Sequence, residues 1–326
     1  MNKTTMNKTR ILLLCATTIT VTALSAETNE VARKIEGTQV GVDAKSLFKD
    51  DERSMSERMR TIFESGDEAG MEELLRECVE NEVSIIDLVR KLAEQGDPNF
   101  QNGLGVAYEA GIGVEKDDSK AVEWFSKASA QGLMDAQHNL GYMYERGTGV
   151  EKDDFKAVEW WRKAAEQGHA LAQSQLGDCY RTGKGVEQDA AISAKWYHKA
   201  AEQGIAAAQF NFGSCCLTGT GVEKDETKAV EWYRKAAEQN YSLAQLWIGL
   251  CYHDGIGVEI NKSKAVEWWI KAAEQGNVEA QFLVGVAYSN GDGVAQDMSR
   301  AEEWWRLAAK QGYPAAKEAL GESSSE

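Results

Sequence analysis

Six cysteines and four histidines are the residues of this 326-residue chain best suited to redox, nucleophilic or metal chemistry. Cys179, Cys215 and Cys251 lie 36 residues apart, which indicates one structural position used three times. Helices packed side by side are about 8–10 Å apart, whereas a disulfide needs Cα atoms within about 7 Å. We therefore predict that these three thiols are reduced and buried as small apolar side chains.

The other chemical motifs are weaker. The four histidines share no position in the 36-residue period, and neither His-Glu-x-x-His nor Cys-x-x-Cys occurs. Ser46 and Lys49 match the Ser-x-x-Lys pattern of penicillin-interacting enzymes, but the companion motifs of those enzymes are missing. The recurrent Gly-x-Gly turns lack the later glycine of a nucleotide-binding loop. The sequence therefore predicts no catalytic residue, no metal site and no cofactor, and it favours a protein that is not an enzyme.

The composition limits the classes of partner. Lys and Arg number 36 against 52 Asp and Glu, which gives a formal net charge of -16. Nucleic acids and anionic membranes are bound through basic surfaces, so we predict that neither is a partner. Thirty glycines and ten tryptophans beside only two prolines indicate that glycine and tryptophan serve a regular structure.

A 36-residue repeat accounts for this usage. The units, aligned on a residue that precedes a glutamine, begin at Phe100, Ala136, Ala172, Ala208, Ala244 and Ala280, with a truncated seventh start at Ala316. Every unit has Gly at its sixth position, a Gly-x-Gly-Val turn after that, and Trp at its twenty-fifth position. Because the spacing never varies, the repeat predicts a stack of similar structural units.

Each unit reads as two antiparallel helices. Leu140 and Tyr144 lie on one apolar stripe in the first half of a unit, and Ala157, Trp161 and Ala164 form another stripe in the second half. The Gly-x-Gly turn ends the first helix, and an Asp or Asn at the eighteenth position caps the second. No unit has the alternating pattern of a strand, so the sequence predicts an all-α fold.

The residues Ala-Gln-x-x-Leu-Gly-x-x-Tyr, Gly-x-Gly-Val and Lys-Ala-Val-Glu-Trp-Tyr-x-Lys-Ala-Ala-Glu-Gln-Gly resemble the Sel-1-like repeat, a branch of the tetratricopeptide superfamily. The resemblance implies an α-solenoid, a right-handed superhelix of six helix-turn-helix repeats over residues 98–315. It further implies that the concave face, lined by the first helices, binds a protein or peptide partner. It implies no single reaction.

Two alternatives to a non-enzymatic scaffold stay open. One is an enzyme acting on cell-wall or β-lactam substrates, as in Cys-rich bacterial proteins that are similar to this chain. Those proteins carry a second cysteine in the second helix of each repeat, where this sequence has Ala164, Ala200 and Ala236. This departure speaks against their disulfide arrangement and their penicillin binding here. The other alternative is a scaffold for polysaccharide export.

Residues 1–26 have the features of a secretory signal peptide. A basic start is followed by an apolar stretch from Ile11 to Leu24, and small residues precede Glu27. The stretch is too short and too rich in threonine to span a membrane. We therefore expect an exported protein, either periplasmic or secreted.

Three further segments flank the repeats. Residues 27–50 are polar and predict a linker. Apolar residues recur at helical spacing within 51–97, which predicts an N-terminal helical cap over the exposed end of the solenoid. Residues 316–326 predict a C-terminal tail that is frayed at its end.

Positions that differ between units are the candidates for ligand contact, because the fold itself explains the positions at which the units agree. In the superfamily that this chain resembles, contacts come from first-helix positions that correspond here to the third, seventh, tenth and eleventh of each unit. This set is polar in the second and third units and largely apolar in the fourth to sixth. The candidate partner-binding residues are His138, Tyr142, Arg146, Asp178, Arg181, Phe210, Leu217, Leu246, Trp247, Leu250, His253 and Phe282. The alternative is that the apolar members pack against one another.

Overall fold

The computed structural model of the protein describes residues 44–81 and 83–321. The predicted signal peptide lies outside these residues, as do most of the predicted linker and the last five residues of the predicted tail. Within the described part of the chain the structure has sixteen α-helices and no β-strand, as the sequence predicts. None of these helices is both long and apolar enough to cross a membrane.

The helices form two compact units that divide between His169 and Ala170. The first unit contains α1 (Ala44–Ser65), α2 (Glu68–Glu80), α3 (Ile85–Glu94), α4 (Pro98–Ala110), α5 (Asp118–Ala130), α6 (Met134–Arg146) and α7 (Asp154–Glu166). The second contains α8 (Ala170–Thr182), α9 (Ala190–Glu202), α10 (Ala206–Thr218), α11 (Glu226–Glu238), α12 (Ser242–Asp254), α13 (Lys262–Glu274), α14 (Val278–Asn290), α15 (Met298–Lys310) and α16 (Pro314–Ala319).

The first unit begins with three helices ahead of the repeats. Helix α1 packs against α2 and α3, and α3 packs against α4, the first helix of the first repeat. Met59, Leu74, Leu88 and Phe100 are buried in one cluster that includes residues of all four helices. Helix α1 starts at Ala44 and not at residue 51, so the end of the segment expected to be a linker is helical. Ala, Lys and Leu favour helix there without forming the amphipathic pattern on which the prediction depended.

Each repeat is a pair of 13-residue helices packed against each other, and within each unit a second helix also packs against the first helix of the next repeat. The sixth-position glycine lets the pair approach closely. A Cβ at Gly249 would lie 2.4 Å from the Trp269 ring, and one at Gly177 would lie 2.4 Å from the Tyr197 ring. An aromatic ring thus takes the space that a side chain would need.

The turns between the paired helices follow the predicted chemistry. Gly147 has a φ of 70°, in the left-handed region, and ends α6. A Cβ at Gly149 would lie 2.2 Å from the Asp118 carbonyl oxygen, so the turn also packs on the start of α5. Asp153 Oδ1 accepts a hydrogen bond from the Lys156 amide (3.0 Å) and caps α7 as expected.

Buried glutamines join the repeats in a way that the sequence analysis did not anticipate. In each repeat the glutamine that ends the second helix donates to the second-position glutamine of the same repeat, over 2.6 to 2.8 Å. Gln281 in turn donates to the carbonyl of Ala273 in the preceding repeat (3.2 Å). Each buried amide is thereby satisfied, which explains why both glutamines recur in all six repeats.

The chain continues in helical form beyond the sixth repeat. Helix α16 packs against α15, and Ala316 is fully buried. Residues 316–319 therefore belong to a helix, in place of the tail predicted from residue 316. The truncated seventh unit was the sequence signal for this helix, and Pro314 in its first turn lies two residues before that unit begins.

Candidate functional site

The cysteines are buried thiols. All five cysteines among the described residues are free and buried, which confirms the burial predicted for Cys179, Cys215 and Cys251. Burial raises the pKa of the Cys215 thiol to about 11, with a smaller contribution from Cys216, and burial likewise raises the pKa of Cys251 to about 11. Such thiols stay protonated near neutral pH, so they are poor nucleophiles.

The histidines do not assemble a metal site. His138 stacks on His169 with ring centroids 4.5 Å apart, and His253 lies 5.4 Å from the Trp269 ring. Across residues 44–81 and 83–321, no three His, Cys, Asp or Glu side chains are grouped so that they could hold a metal ion. Burial, and next the charge of His169, lowers the pKa of His138 to about 4.

Asp178 and Arg181, both predicted site residues, form a polar cluster with Tyr197. The Tyr197 hydroxyl donates to Asp178 Oδ1 (2.7 Å), and Arg181 Nε donates to the Tyr197 hydroxyl (3.0 Å). Arg181 also pairs directly with Asp178 (3.3 Å). Burial raises the pKa of Tyr197, so this hydroxyl remains a donor. The cluster holds the guanidinium in one orientation at the surface of the second unit.

Residue choice at the seventh position follows the ring packed beneath it. Where that ring is tyrosine, the seventh residue is a polar partner: Asp178 for Tyr197, and Ser214 for Tyr233 (3.0 Å). Where the ring is tryptophan, its Nε1–H donates to the third-position carbonyl instead, over 3.2 to 3.3 Å. Variation at the seventh position therefore has an internal cause. For Asp178 this variation has a structural explanation within the repeat, and a ligand contact there stays a prediction.

Residues at the third position pack against the residue that directly precedes the first helix of the next repeat. Phe210 lies 5.6 Å from Tyr241, and Phe282 lies 5.2 Å from Tyr313, in the same way that His138 meets His169. These three residues are half-buried. Leu246 is 2% exposed, so the expectation that it lies on a binding surface is wrong, and it is a core residue.

The remaining candidates lie nearer the surface. Trp247 is 37% exposed, and its ring centroid lies 6.1 Å from that of the buried Tyr233 ring. Leu217 and Leu250 are half-buried, each against the hydrophobic cluster of its own part of the second unit. In the first unit, Arg146 covers the Tyr142 ring at 4.3 Å and also donates to its hydroxyl.

One row of residues along each first helix, which we call the outward row, is exposed or half-buried. It consists of the second, sixth, ninth and thirteenth residues of the helix, which lie on one stripe. In α12 and α14 this row is mostly apolar and forms what we call the apolar patch: Leu243, Trp247, Leu250, Leu283 and Val286. Leu250 and Leu283 pack against the same cluster, which contains residues of α12, α13 and α14.

The apolar patch is not required by the fold. The same row in α10 holds the small or polar residues Ala207, Asn211 and Thr218, and its remaining member, Ser214, is hydrogen-bonded to Tyr233. Leu243 has a large apolar side chain and is nevertheless 41% exposed. Leu243 and Leu283 are not among the residues predicted from the sequence. The i, i+4, i+7 spacing of Leu243, Trp247 and Leu250 is the signal for the first, and the i, i+3 spacing of Leu283 and Val286 is the signal for the second.

Charge in the second unit is concentrated on the second helices. The four first helices α8, α10, α12 and α14 carry only Asp178, Arg181, Asp254 and Glu279 as charged residues. Each of α9, α11, α13 and α15 carries at least three. The first-helix face is therefore the less polar of the two.

Comparison with known proteins agrees with this architecture. The Sel1 repeat model matches residues 98–133, 135–169, 170–205, 206–241, 242–277 and 278–313. A solved Sel1 repeat protein from Oxalobacter formigenes is 33% identical, over 71% of this chain and 94% of its own, with a TM-score of 0.63. The protein c5321, a protective antigen of uropathogenic Escherichia coli with an SLR fold, is 31% identical over 86% of this chain and 67% of its own, with a TM-score of 0.71. A search of curated proteins found no match. The chain belongs to the Sel1 repeat family.

Proposed function

We propose that this protein is an exported, non-enzymatic repeat scaffold that binds a protein or peptide partner through the face formed by its first helices. The observation that carries the proposal is the apolar patch on α12 and α14, where exposed Leu243 and Trp247 occupy a row that is small or polar in α10. Exposed large apolar side chains that the fold does not require are typical of interaction surfaces.

Export is supported by the N-terminal sequence. Its basic start, apolar stretch and small residues before Glu27 have the order of a signal peptide. The E. coli relative is a protective antigen, which fits an exported protein. Fractionation of the native host, with detection of a mature chain shortened by about 26 residues, tests this part. A full-length chain in the cytoplasm would contradict it.

Partner binding is tested by crosslinking in intact cells followed by recovery of the protein. Wild type should recover a specific partner, and Trp247→Ser should lose it. Leu307→Lys is the matched control: Leu307 is 43% exposed on α15 and stands where each of the other five repeats has a lysine. We expect this control to keep the partner. Equal recovery by all three proteins would contradict the proposal.

The enzymatic alternative is tested with nitrocefin, a chromogenic β-lactam, and the purified protein. The buried, protonated thiols of the second unit give no activated nucleophile, so we expect no turnover. Turnover that disappears when a single residue is replaced would show that the protein is an enzyme.

A further inference from the structure

Acidic side chains stand at two diagonal corners of the apolar patch. Asp254 ends the outward row of α12, and Glu279 begins the outward row of α14. Both are exposed, and the five apolar residues occupy the rest of the two rows apart from Asn290. A ligand that covers the patch therefore passes a carboxylate at each end.

The surrounding charges do not cancel this pattern. Near the end of α12, His253 contacts Asp254, and Asp292 follows α14. Lys262 forms a salt bridge with Asp292 (2.8 Å), and this lysine therefore neutralises the charge of Asp292 and not that of Asp254. Arg181, the one basic residue of the four first helices, is paired with Asp178 two repeats away. The whole chain carries a net charge of -16, which attracts basic partners at long range.

We infer that the partner segment is a peptide with two or three bulky apolar side chains flanked at both ends by Lys or Arg. The apolar side chains cover Trp247, Leu250 and Leu283, and the basic residues meet Asp254 and Glu279. Apolar anchors supply most of the affinity, whereas charge at the rim provides selectivity and speeds association. This inference rests on the proposed function and names the chemistry of its partner.

The test is a selection of random 12-residue phage-displayed peptides on the full chain, with counter-selection on the Trp247→Ser variant. We expect the enriched peptides to be rich in Leu, Phe or Trp and to carry net positive charge. Enrichment of neutral or acidic peptides, or no enrichment beyond the counter-selected background, would overturn the inference.

A synthetic version of the most enriched peptide then tests the two corners. We expect the Asp254→Asn/Glu279→Gln double variant to bind it about tenfold more weakly at low salt, and we expect this difference to shrink as salt screens the charges. Leu307→Lys should bind like wild type. An unchanged Kd in the double variant, with binding still lost in Trp247→Ser, would overturn the charge inference and leave the proposed function intact.

Discussion

The residue type at a given repeat position depends largely on the side chains that it contacts inside the repeat. In four repeats a ninth-position tyrosine lies beneath a Lys or Arg, as Tyr252 does beneath Lys264 at 5.3 Å. The fourth repeat has Cys216 at that position, and the ring of Phe212, one turn earlier, lies 5.5 Å from Lys228. Phe212 stands where the other repeats have Leu, Ile or Val. The two substitutions thus compensate each other.

This compensation predicts non-additive stability. Cys216→Tyr places a second large side chain beside Phe212 and should lower the free energy of unfolding by about 1–3 kcal/mol through overpacking. Phe212→Leu/Cys216→Tyr restores the arrangement of the other repeats and should recover most of that loss. Urea unfolding of both variants measures the coupling. Simple additivity of the two changes would contradict the account.

His138 should make stability depend on pH. Its pKa is lowered to about 4 from an ordinary 6.5, mainly by burial, so the folded state favours the neutral ring. The unfolded chain binds a proton first as pH falls through 6.5, and the stabilisation is lost between pH 6.5 and 4. We expect wild type to lose about 2 kcal/mol between pH 7 and 5 and His138→Gln to lose clearly less. Identical losses would show that His138 is not the cause.

The buried thiols should resist labelling. Burial raises the pKa of Cys215 and Cys251 to about 11, so iodoacetamide at pH 7.5 should leave both unmodified in the native protein. Cys179 is buried at the same repeat position and should also stay unmodified. All three should react after unfolding without reductant. Mass spectrometry of tryptic peptides gives the result, and a thiol that needs reductant before it reacts would reveal a disulfide.

At the scale of helices, the repeat period was enough to predict the fold. The twelve repeat helices begin after Asp, Asn or a loop residue and end at glycine turns or glutamine caps that recur every 36 residues, so the local signals agree with one another. The prediction was wrong at the two ends, in α1 and α16. No periodic neighbour marks a boundary there, and helix propensity and packing on α15 decide the structure.

The contact between glycine and ring predicts an effect opposite to helix propensity. Alanine is favoured over glycine by about 1 kcal/mol within a helix. Gly249→Ala should nevertheless lower the free energy of unfolding, by about 2 kcal/mol, because its Cβ would lie 2.4 Å from the Trp269 ring. In a Trp269→Ala background the same change should be nearly neutral or stabilising. Stabilisation by Gly249→Ala in the wild-type protein would contradict the packing described here.

At the scale of the whole molecule, the second unit separates two kinds of surface. Its second helices carry charge, and its first helices carry apolar and polar uncharged residues. The sequence located the candidate site on the first helices but could not separate surface from core within it. Leu246 and Trp247 are adjacent in sequence, and the rotation of about 100° per helical residue places the first in the core and the second at the surface.

These two neighbours provide the most direct test of the claim that the first-helix face binds a partner. Trp247→Ser and Leu246→Ser should be compared for urea unfolding and for recovery of the crosslinked partner. We expect Trp247→Ser to change the free energy of unfolding by about 1 kcal/mol or less while the partner is lost. Leu246→Ser should cost about 2–5 kcal/mol because it empties a buried site. Retention of the partner by a folded Trp247→Ser protein, or a loss of stability equal to that of Leu246→Ser, would contradict the claim.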